Sequence, residues 1–285
     1  MKRHLLEEEW EKIIHESERD FDWWNRKKES YEKRGVQLLR VTGDGQPYQR
    51  IRARRNEDEL DYTLHLQYLL KQDDHTYMEE EIIPGRFTLK HNHLIQHDIT
   101  NPPKENQRYE LNLTKDPSDQ SNDRAFNYDR RKAVQYAERW WNGYNPAYRK
   151  FEDDCTSFIS QCLRAGGAPM WGGPNRSKGW WYQGNNWSYS WSVAHALRWY
   201  LSGSKQGLTA KEVDHAENLL PGDVICYDFE GDGRWNHNTI VVAKDGRGEP
   251  LVNAHTVNSR HRYWRYEDST AWTPNCQYKF FRIGE

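Results

Sequence analysis

Aromatic rings must supply much of the hydrophobic core of this 285-residue chain, because its aliphatic content is low. Hydrophobic residues make up 35% of the sequence, and Phe, Trp and Tyr alone account for 14%. Such a composition is often typical of disorder, but the formal net charge is only −2 and the chain holds 14 Trp and 17 Tyr. Each large ring can bury about 150–250 Å², so we predict a folded protein with an aromatic core.

The tryptophans are concentrated in the second part of the chain. Three precede residue 121 and eleven follow it, and turn-rich polar segments at residues 101–103 and 115–123 lie between the two parts. We therefore predict two domains, residues 1–120 and residues 121–285, with the boundary near Ser121.

The first domain begins with hydrophobic residues three and four positions apart, from Leu5 to Trp24, a spacing that predicts one long amphipathic helix. Strand-like segments follow at hairpin distances. We expect a helix packed on an antiparallel meander, an α+β accessory domain whose role the sequence does not reveal. The strand-like segments are residues 36–41, 49–54, 60–70, 78–89, 94–99 and 109–113.

Two clusters in this domain resemble ligand sites, and we interpret both as polar surface. His91, His93 and His97 share a strand face, but we see no carboxylate or Cys at ligand spacing. The basic residues at 50–55 belong to a net acidic domain and precede the acidic residues at 57–59, which repel phosphate. We predict no metal, no cofactor and no nucleic-acid partner.

The sequence also bears on location. No run approaches the roughly 18 apolar residues of a membrane span, and the charged first segment lacks the apolar core of a signal peptide. We expect a protein that is not membrane-embedded, cytoplasmic as the sequence stands, or extracellular or cell-wall if the chain is a processed or truncated form. The four cysteines form no Cys-x-x-Cys pair and fit free thiols. The oligomeric state stays open.

Residues 151–167 carry the strongest chemical signal. Asp154 fits a helix N-cap, an apolar stripe follows, and two glycines at 166–167 end the predicted helix. Cys155 then lies in the first turn, where unpaired amides and the helix dipole stabilise a thiolate and lower the thiol pKa. We predict that Cys155 is a nucleophile. Cys162, on the apolar stripe, is interpreted as a core residue.

A nucleophilic thiol needs a base, and two histidines lie at suitable positions. His237 opens one predicted strand and His255 follows the next. Antiparallel neighbours bring such residues side by side, so one imidazole can abstract the thiol proton while the other holds it in the right tautomer. His195 and His215 fall in predicted helices and are expected to be structural or solvated.

The segment from residue 144 to residue 167 resembles a family signature. It reads YNPAYRKFEDDCTSFISQCLRAGG, and the match continues in order with Leu-x-Pro-Gly-Asp-Val-Ile at 219–225, the His237 strand and Ala-His-Thr at 254–256. Over about residues 125–285 the chain is similar to the Putative amidase domain family, common in spore-forming bacteria. That family is related to the NlpC-type and CHAP-type hydrolases, papain-like enzymes that cut amide bonds, chiefly in bacterial peptidoglycan.

The resemblance implies a papain-like α+β domain in which the helix bearing the Cys packs on an antiparallel sheet. It implies Cys155 as nucleophile, His237 as general base and His255 as the third, orienting residue, a place that some relatives fill with Asn, Glu or Asp. A Tyr upstream of the Cys assists near the oxyanion hole in related hydrolases, and either Tyr144 or Tyr148 fits.

A tryptophan-rich segment, residues 170–190, separates the two motifs and predicts a long loop over the site. Aromatic faces beside amide side chains suit a glycan or peptide groove, while packing of the same rings in the core is an equal alternative. The candidates for the oxyanion hole or substrate binding are Asp154, Tyr144, Tyr148, Trp180, Trp181 and Trp187.

Three functions fit these observations. The first is a cysteine-dependent hydrolase of peptidoglycan or of a peptide or amide substrate. The second is a catalytically silent wall- or peptide-binding module on the same scaffold. The third is an intracellular small-substrate amidase or thiol transferase. The intact Cys and His pair favours an enzyme.

Overall fold

The computed structural model describes residues 2–15, 22–54, 57–91, 93–99 and 126–285, and has α+β architecture with long antiparallel strands and few helices. The chain divides into two compact units. The first comprises Met1–Pro103 and Glu267–Thr270, and the second comprises Lys104–Tyr266 and Ala271–Glu285. The predicted boundary at residue 121 lies outside the described residues. Among the helices described, none is long and apolar enough to cross a membrane.

The first unit contains two helices, α1 (Lys2–His15) and α2 (Asp22–Arg34). The predicted long helix covers α1 and the start of α2, and the stretch that would join them lies outside the described residues. An antiparallel sheet follows, with its strands in chain order. The strands are β1 (Val36–Arg54), β2 (Glu57–Gln72), β3 (His75–Lys90) and β4 (His93–Ile99).

One strand prediction in this unit is wrong. Residues 36–41 and 49–54 were expected to be separate strands, but they belong to the single strand β1, which pairs with β2 along its length. Register shifts next to Leu38 and Pro47 absorb the irregularity, as β-bulges do, so the Gly and Pro signals do not end the strand. The predicted segment 109–113 lies outside the described residues.

Aromatic residues make up much of the core of the first unit, as predicted. Trp10, Trp24 and Tyr68 are almost fully buried. The ring of Trp24 stacks on Tyr68 with centroids 5.9 Å apart, and Trp10 Nε1 donates to the hydroxyl of Tyr62 at 3.1 Å. Buried indoles thus fill space that aliphatic side chains fill in other proteins.

The second unit is built on an antiparallel sheet with the strand order β11-β10-β9-β8-β12-β7. The strands are β7 (Ala210–Val213), β8 (Val224–Asp228), β9 (His237–Lys244), β10 (Pro250–Ala254), β11 (Ser259–Tyr263) and β12 (Gln277–Ile283). A separate hairpin joins β5 (Tyr182–Gln183) and β6 (Asn186–Trp187). The helices are α3 (Arg130–Trp140), α4 (Cys155–Ala165), α5 (Tyr189–Ser192) and α6 (Ala194–Gly203).

Both faces of this sheet are buried. On one face, Ile240 and Val242 of β9 share a hydrophobic core with Phe158 and Leu163 of α4. On the other face, Val241 packs with an aromatic cluster of the same unit. The helix that bears Cys155 therefore packs on an antiparallel sheet, as predicted.

Two segments of the second unit differ from their predictions. The charged helix expected at His215 is wrong, because the preceding residues form β7 and pair with β12, while a short 3₁₀ turn follows. The predicted loop at 170–190 contains the β5–β6 hairpin and the start of α5. A bridge between Trp171 and Trp180 holds it, and Trp180 is fully buried.

Candidate active site

Helix α4 has Cys155 as its first residue and Gly166 as its C-cap, as the sequence predicts. Asp154 occupies the N-cap position, as predicted, but its side chain makes no capping hydrogen bond. The carboxylate instead accepts from the backbone N–H of Phe151 at 3.4 Å and bonds the imidazole of His255 at 2.9 Å. The start of α4 is thus joined to the end of β10.

The thiol of Cys155 is 2% exposed. Burial, together with the negative charge of Asp153, raises the pKa of this thiol to about 12, although hydrogen bonds with Thr156, the backbone of Asn238 and Thr256 oppose the shift. The predicted lowering of the pKa is therefore wrong for this structure: removal of the sulfur from water outweighs the helix N-terminus. The resting group at neutral pH is a protonated thiol.

His255 is the histidine that lies against α4, and it is 2% exposed. Its Nε2 lies 2.8 Å from the carbonyl oxygen of Trp140, and its Nδ1 lies 2.9 Å from Asp154 Oδ2. The ring stacks on Phe158 with centroids 3.9 Å apart, and Tyr144 meets its edge at 5.2 Å. Because a carbonyl oxygen only accepts, Nε2 carries a proton. Nδ1 and the Asp154 carboxylate are joined by a second hydrogen bond, so one further proton lies between them.

His237 lies on the other face of β9. Its ring packs against Tyr266 at 5.3 Å and Tyr227 at 5.6 Å, and its Nε2 has no hydrogen-bond partner among the described residues. Burial, with a smaller contribution from Arg262, lowers the pKa of His237 to about 3. Within the part of the chain that the structure describes, no hydrogen bond joins His237 to Cys155. Its role as the general base therefore stays a prediction.

The residue that faces α4 from the start of β9 is Asn238. Its Nδ2 donates to Thr156 Oγ1 at 3.0 Å, and Thr156 Oγ1 in turn lies 3.6 Å from Cys155 Sγ. Side chains alternate along a strand, so His237 and Asn238 point to opposite faces. The sequence motifs indicated His237, whereas in the structure its neighbour Asn238 lies on the side of the strand that faces Cys155.

Thr256 is a second residue that the sequence reasoning missed. It lies beside Cys155, and its Oγ1 donates to Asp153 at 2.7 Å. Its φ is 81°, a region that β-branched residues rarely adopt, and such strain is frequent at functional sites. Two sequence features could have indicated Thr256. One is its place in the Ala-His-Thr segment, and the other is the pair of Asp residues that precedes Cys155.

The remaining candidates divide between the core and the surface. Trp180 and Trp181 are buried, and their Nε1 groups donate to Ser160 and to backbone carbonyls, so both belong to the core. Tyr148 is partly buried and stacks on Trp191. Tyr144 is 38% exposed, and Trp187 is partly exposed. Of this group, Tyr144 is the side chain that the structure brings to His255.

In the first unit, His97 lies beside aromatic side chains. The ring of His97 lies 4.4 Å from that of Phe87 and bonds the hydroxyl of Tyr62. Over the described ranges, no group of three His, Cys, Asp or Glu side chains is placed to hold a metal ion.

Known sequences provide an independent comparison. The sequence profile of the family described as Putative amidase domain matches residues 127–281. The uncharacterized protein YhbB of Bacillus subtilis is 50% identical over 273 residues, which cover 93% of this chain and 86% of that protein. The uncharacterized protein YjcM of the same organism is 32% identical over 135 residues, 44% of this chain and 30% of that protein. No solved structure matches.

Proposed function

Because this chain belongs to the Putative amidase domain family, we propose that it hydrolyses amide bonds with Cys155 as the nucleophile. The observation that carries the proposal is the position of Cys155, the first residue of α4, beside the buried pair formed by His255 and Asp154. A cysteine at a helix N-terminus with a histidine from the neighbouring sheet is an arrangement that suits acyl transfer.

In this proposal His255 is the group that exchanges a proton with Cys155. Its Nε2–H is held by the carbonyl of Trp140, so the proton that the pair gains or loses is the one between Nδ1 and Asp154. When the sulfur attacks the amide carbon, the thiol proton passes to the deprotonated His255–Asp154 pair and is held between Nδ1 and the carboxylate. This assignment gives His255 the role that the sequence assigned to His237.

The chemistry then follows two steps. The C–S bond forms as the carbonyl electrons move to oxygen, and the backbone N–H of Cys155, unpaired in the first turn of α4, supports the oxyanion. Collapse breaks the C–N bond, and the imidazolium protonates the leaving amine. Water attacks the thioester with His255 as base, which releases the acid and restores the thiol.

The raised thiol pKa is compatible with this sequence of events. A thiol with a pKa of about 12 is not a preformed thiolate, so deprotonation must accompany the attack. The strained Thr256 and its bond to Asp153 hold the buried resting form. Substrate must displace part of this contact to reach the sulfur.

Peptidoglycan, or a peptide cut from it, is the substrate class that the family resemblance favours, together with a papain-like arrangement of the domain. The exposed ring of Tyr144 and the partly exposed ring of Trp187 offer the apolar faces that sugars and peptides use. A peptidoglycan substrate would place the working enzyme at the cell wall, whereas a small intracellular amide would not.

The test compares two buried cysteines of the same helix. Wild-type protein, Cys155→Ala and Cys162→Ala are incubated with purified peptidoglycan and with short peptide amides, and the products are weighed by mass spectrometry. We expect Cys155→Ala to lose at least about a thousandfold in rate, while Cys162→Ala keeps activity if it stays folded. Wild-type rates in Cys155→Ala would exclude the proposal.

One observation favours the silent binding module as a second candidate. Cys155 is buried, and no histidine is hydrogen-bonded to its sulfur among the described residues. That alternative predicts that wild-type protein retains peptidoglycan in a pull-down, releases no fragments, and binds equally well as Cys155→Ala.

A further inference from the structure

Two arginines flank one partly exposed indole beside the proposed active site. The guanidinium of Arg176 lies 4.9 Å from the ring centroid of Trp187, and that of Arg149 lies 5.3 Å from the same centroid. Trp187 is held in place by Tyr182, whose ring stacks on it, and by Phe151, which meets it edge-on at 5.0 Å. We refer to Arg149, Arg176 and Trp187 as the arginine–tryptophan cluster.

The charges of this cluster are not neutralised by the protein. In the described part of the chain, neither Arg149 nor Arg176 forms an ion pair with a carboxylate, and both are exposed. Glu152, the carboxylate nearest to Arg149 in sequence, makes no ion pair with either. Elsewhere in the same unit arginines are paired, such as Arg130 with Asp223 and Arg260 with Glu138.

Among the described residues, two guanidinium groups without a carboxylate partner lie against one ring. Both are within 5.3 Å of its centroid, so their charges add there, and an anion that contacts both is favoured. Carboxylates match the forked donors of arginine better than any other common group of a peptide. Lys150, which lies 4.0 Å from the ring of Tyr144, adds positive charge on the same segment.

The cluster is connected to the segment that carries the proposed nucleophile through Phe151. Phe151 contacts Trp187 and its backbone N–H donates to Asp154, the residue before Cys155. Four residue steps separate Phe151 from Cys155, so their Cα atoms are at most about 14 Å apart. An extended peptide covers that distance with about four residues.

We propose that the arginine–tryptophan cluster binds a carboxylate of the substrate, a few residues from the bond that is cut, so that the hydrolase prefers acidic peptides. This inference rests on the proposed function for the position of the cut bond. The binding site itself rests on the cluster alone, and its test therefore measures binding without hydrolysis.

The experiment uses the full chain carrying Cys155→Ala, which separates binding from catalysis. Two fluorescein-labelled peptides are compared by anisotropy, acetyl-Ala-Glu-Ala-Glu-Ala-amide and the matching peptide with Gln in place of both Glu residues. Arg149→Gln and Arg176→Gln are then added singly and together. Arg265→Gln is the matched control, since Arg265 also lies over an indole, that of Trp264, at 5.0 Å.

We expect the Glu peptide to bind more tightly than the Gln peptide and added salt to weaken the difference. Each cluster substitution should weaken binding of the Glu peptide about threefold to fivefold, and both together about tenfold. Arg265→Gln should change nothing. Arg149→Gln is the decisive single variant, because Arg176 also donates to the carbonyl of Trp187 and its loss can disturb the hairpin.

Equal binding of the two peptides, or wild-type affinity in the double variant, would overturn the inference. So would competition by inorganic phosphate that exceeds competition by acetate at equal ionic strength, because it would identify a phosphate site. Hydrolysis that survives Cys155→Ala would instead refute the proposed function and leave the binding result intact.

Discussion

At the scale of single residues, the start of α4 shows two opposing effects on one thiol. The helix N-terminus favours a thiolate at Cys155, but the side chain is 2% exposed and burial raises its pKa to about 12. The helix position can be predicted from sequence because caps and glycines are local signals. Burial of the sulfur cannot, because it depends on Thr256 and Asn238, which are distant in sequence.

This balance predicts slow alkylation of the resting nucleophile. At pH 7 roughly one Cys155 thiol in a hundred thousand is ionised, so iodoacetamide should label the half-buried Cys276 first. Peptide mass mapping over time measures both rates, and the Cys155 rate should rise with pH throughout the alkaline range. Faster labelling of Cys155 than of Cys276 at neutral pH would show that the thiol is activated without substrate.

His237 shows why a motif does not determine the direction of a side chain. Every residue from His237 to Val242 is buried, so both faces of β9 lack a polar side that would identify the face next to α4. The sequence predicts that side chains alternate along the strand, but it does not determine which of the two sets faces α4. The structure assigns Asn238 to the face of Cys155 and His237 to the aromatic cluster.

The buried His237 also predicts a dependence of stability on pH. Its pKa falls to about 3 in the folded protein and is ordinarily 6.5, so the unfolded chain binds the extra proton between these values. The free energy of unfolding should therefore fall as pH decreases below about 6.5, by about 3 kcal/mol at pH 4. His237→Phe should remove that part of the loss, as measured by urea unfolding.

The same variant bears on the two histidine assignments. If His255 is the base, His237→Phe keeps hydrolysis at neutral pH and His255→Ala abolishes it. Loss of hydrolysis in folded His237→Phe, with near-wild-type rates in His255→Ala, would restore the assignment made from the sequence.

At the scale of elements, local signals predicted helices better than strand boundaries. Helix α4 was predicted from its apolar spacing and end residues, and it is present. The break expected within β1 and the helix expected at β7 were wrong, because pairing with β2 and with β12 overrides weak local signals. The loop at 170–190 is ordered by backbone pairs that composition does not reveal.

Gly179 is the residue on which this loop most depends. It has φ +70°, and a Cβ there would lie 1.9 Å from the carbonyl oxygen of Trp171. Gly184 has φ +57° but open space around its Cβ position. We expect Gly179→Ala to lower the free energy of unfolding by more than about 2 kcal/mol and Gly184→Ala by about 1 kcal/mol. Equal losses of the two variants in urea unfolding would show that the Trp171–Trp180 bridge does not require a glycine at position 179.

At the scale of the whole molecule, one feature cannot be predicted from contiguous stretches of sequence. The segment Glu267–Thr270 lies between β11 and β12 in the chain but belongs to the first compact unit. Within that unit Lys27 is buried and forms ion pairs with Glu79, with Glu81 at 3.3 Å and with Asp268 at 3.0 Å. Burial lowers the pKa of Lys27, but these carboxylates raise it more.

Removal of this cation should destabilise the first unit. Lys27→Met keeps the apolar stem but leaves several buried carboxylates without their counter-ion, so we expect a loss of about 3–5 kcal/mol in the free energy of unfolding. Lys12→Met is the matched control, because Lys12 is half exposed in its pair with Glu9 and should contribute less than about 1 kcal/mol. Urea unfolding followed by tryptophan fluorescence measures both losses, and similar small losses for the two variants would show that Lys27 does not stabilise the first unit.

The central claim is that Cys155 bonds covalently to the acyl group of an amide substrate. Rapid quenching of wild-type protein with its peptide substrate, followed by peptide mass mapping, tests this claim most directly. We expect an added acyl mass on the peptide that contains Cys155, and no such adduct in Cys155→Ala. Product formation without an adduct at Cys155, at a rate that Cys155→Ala matches, would contradict it.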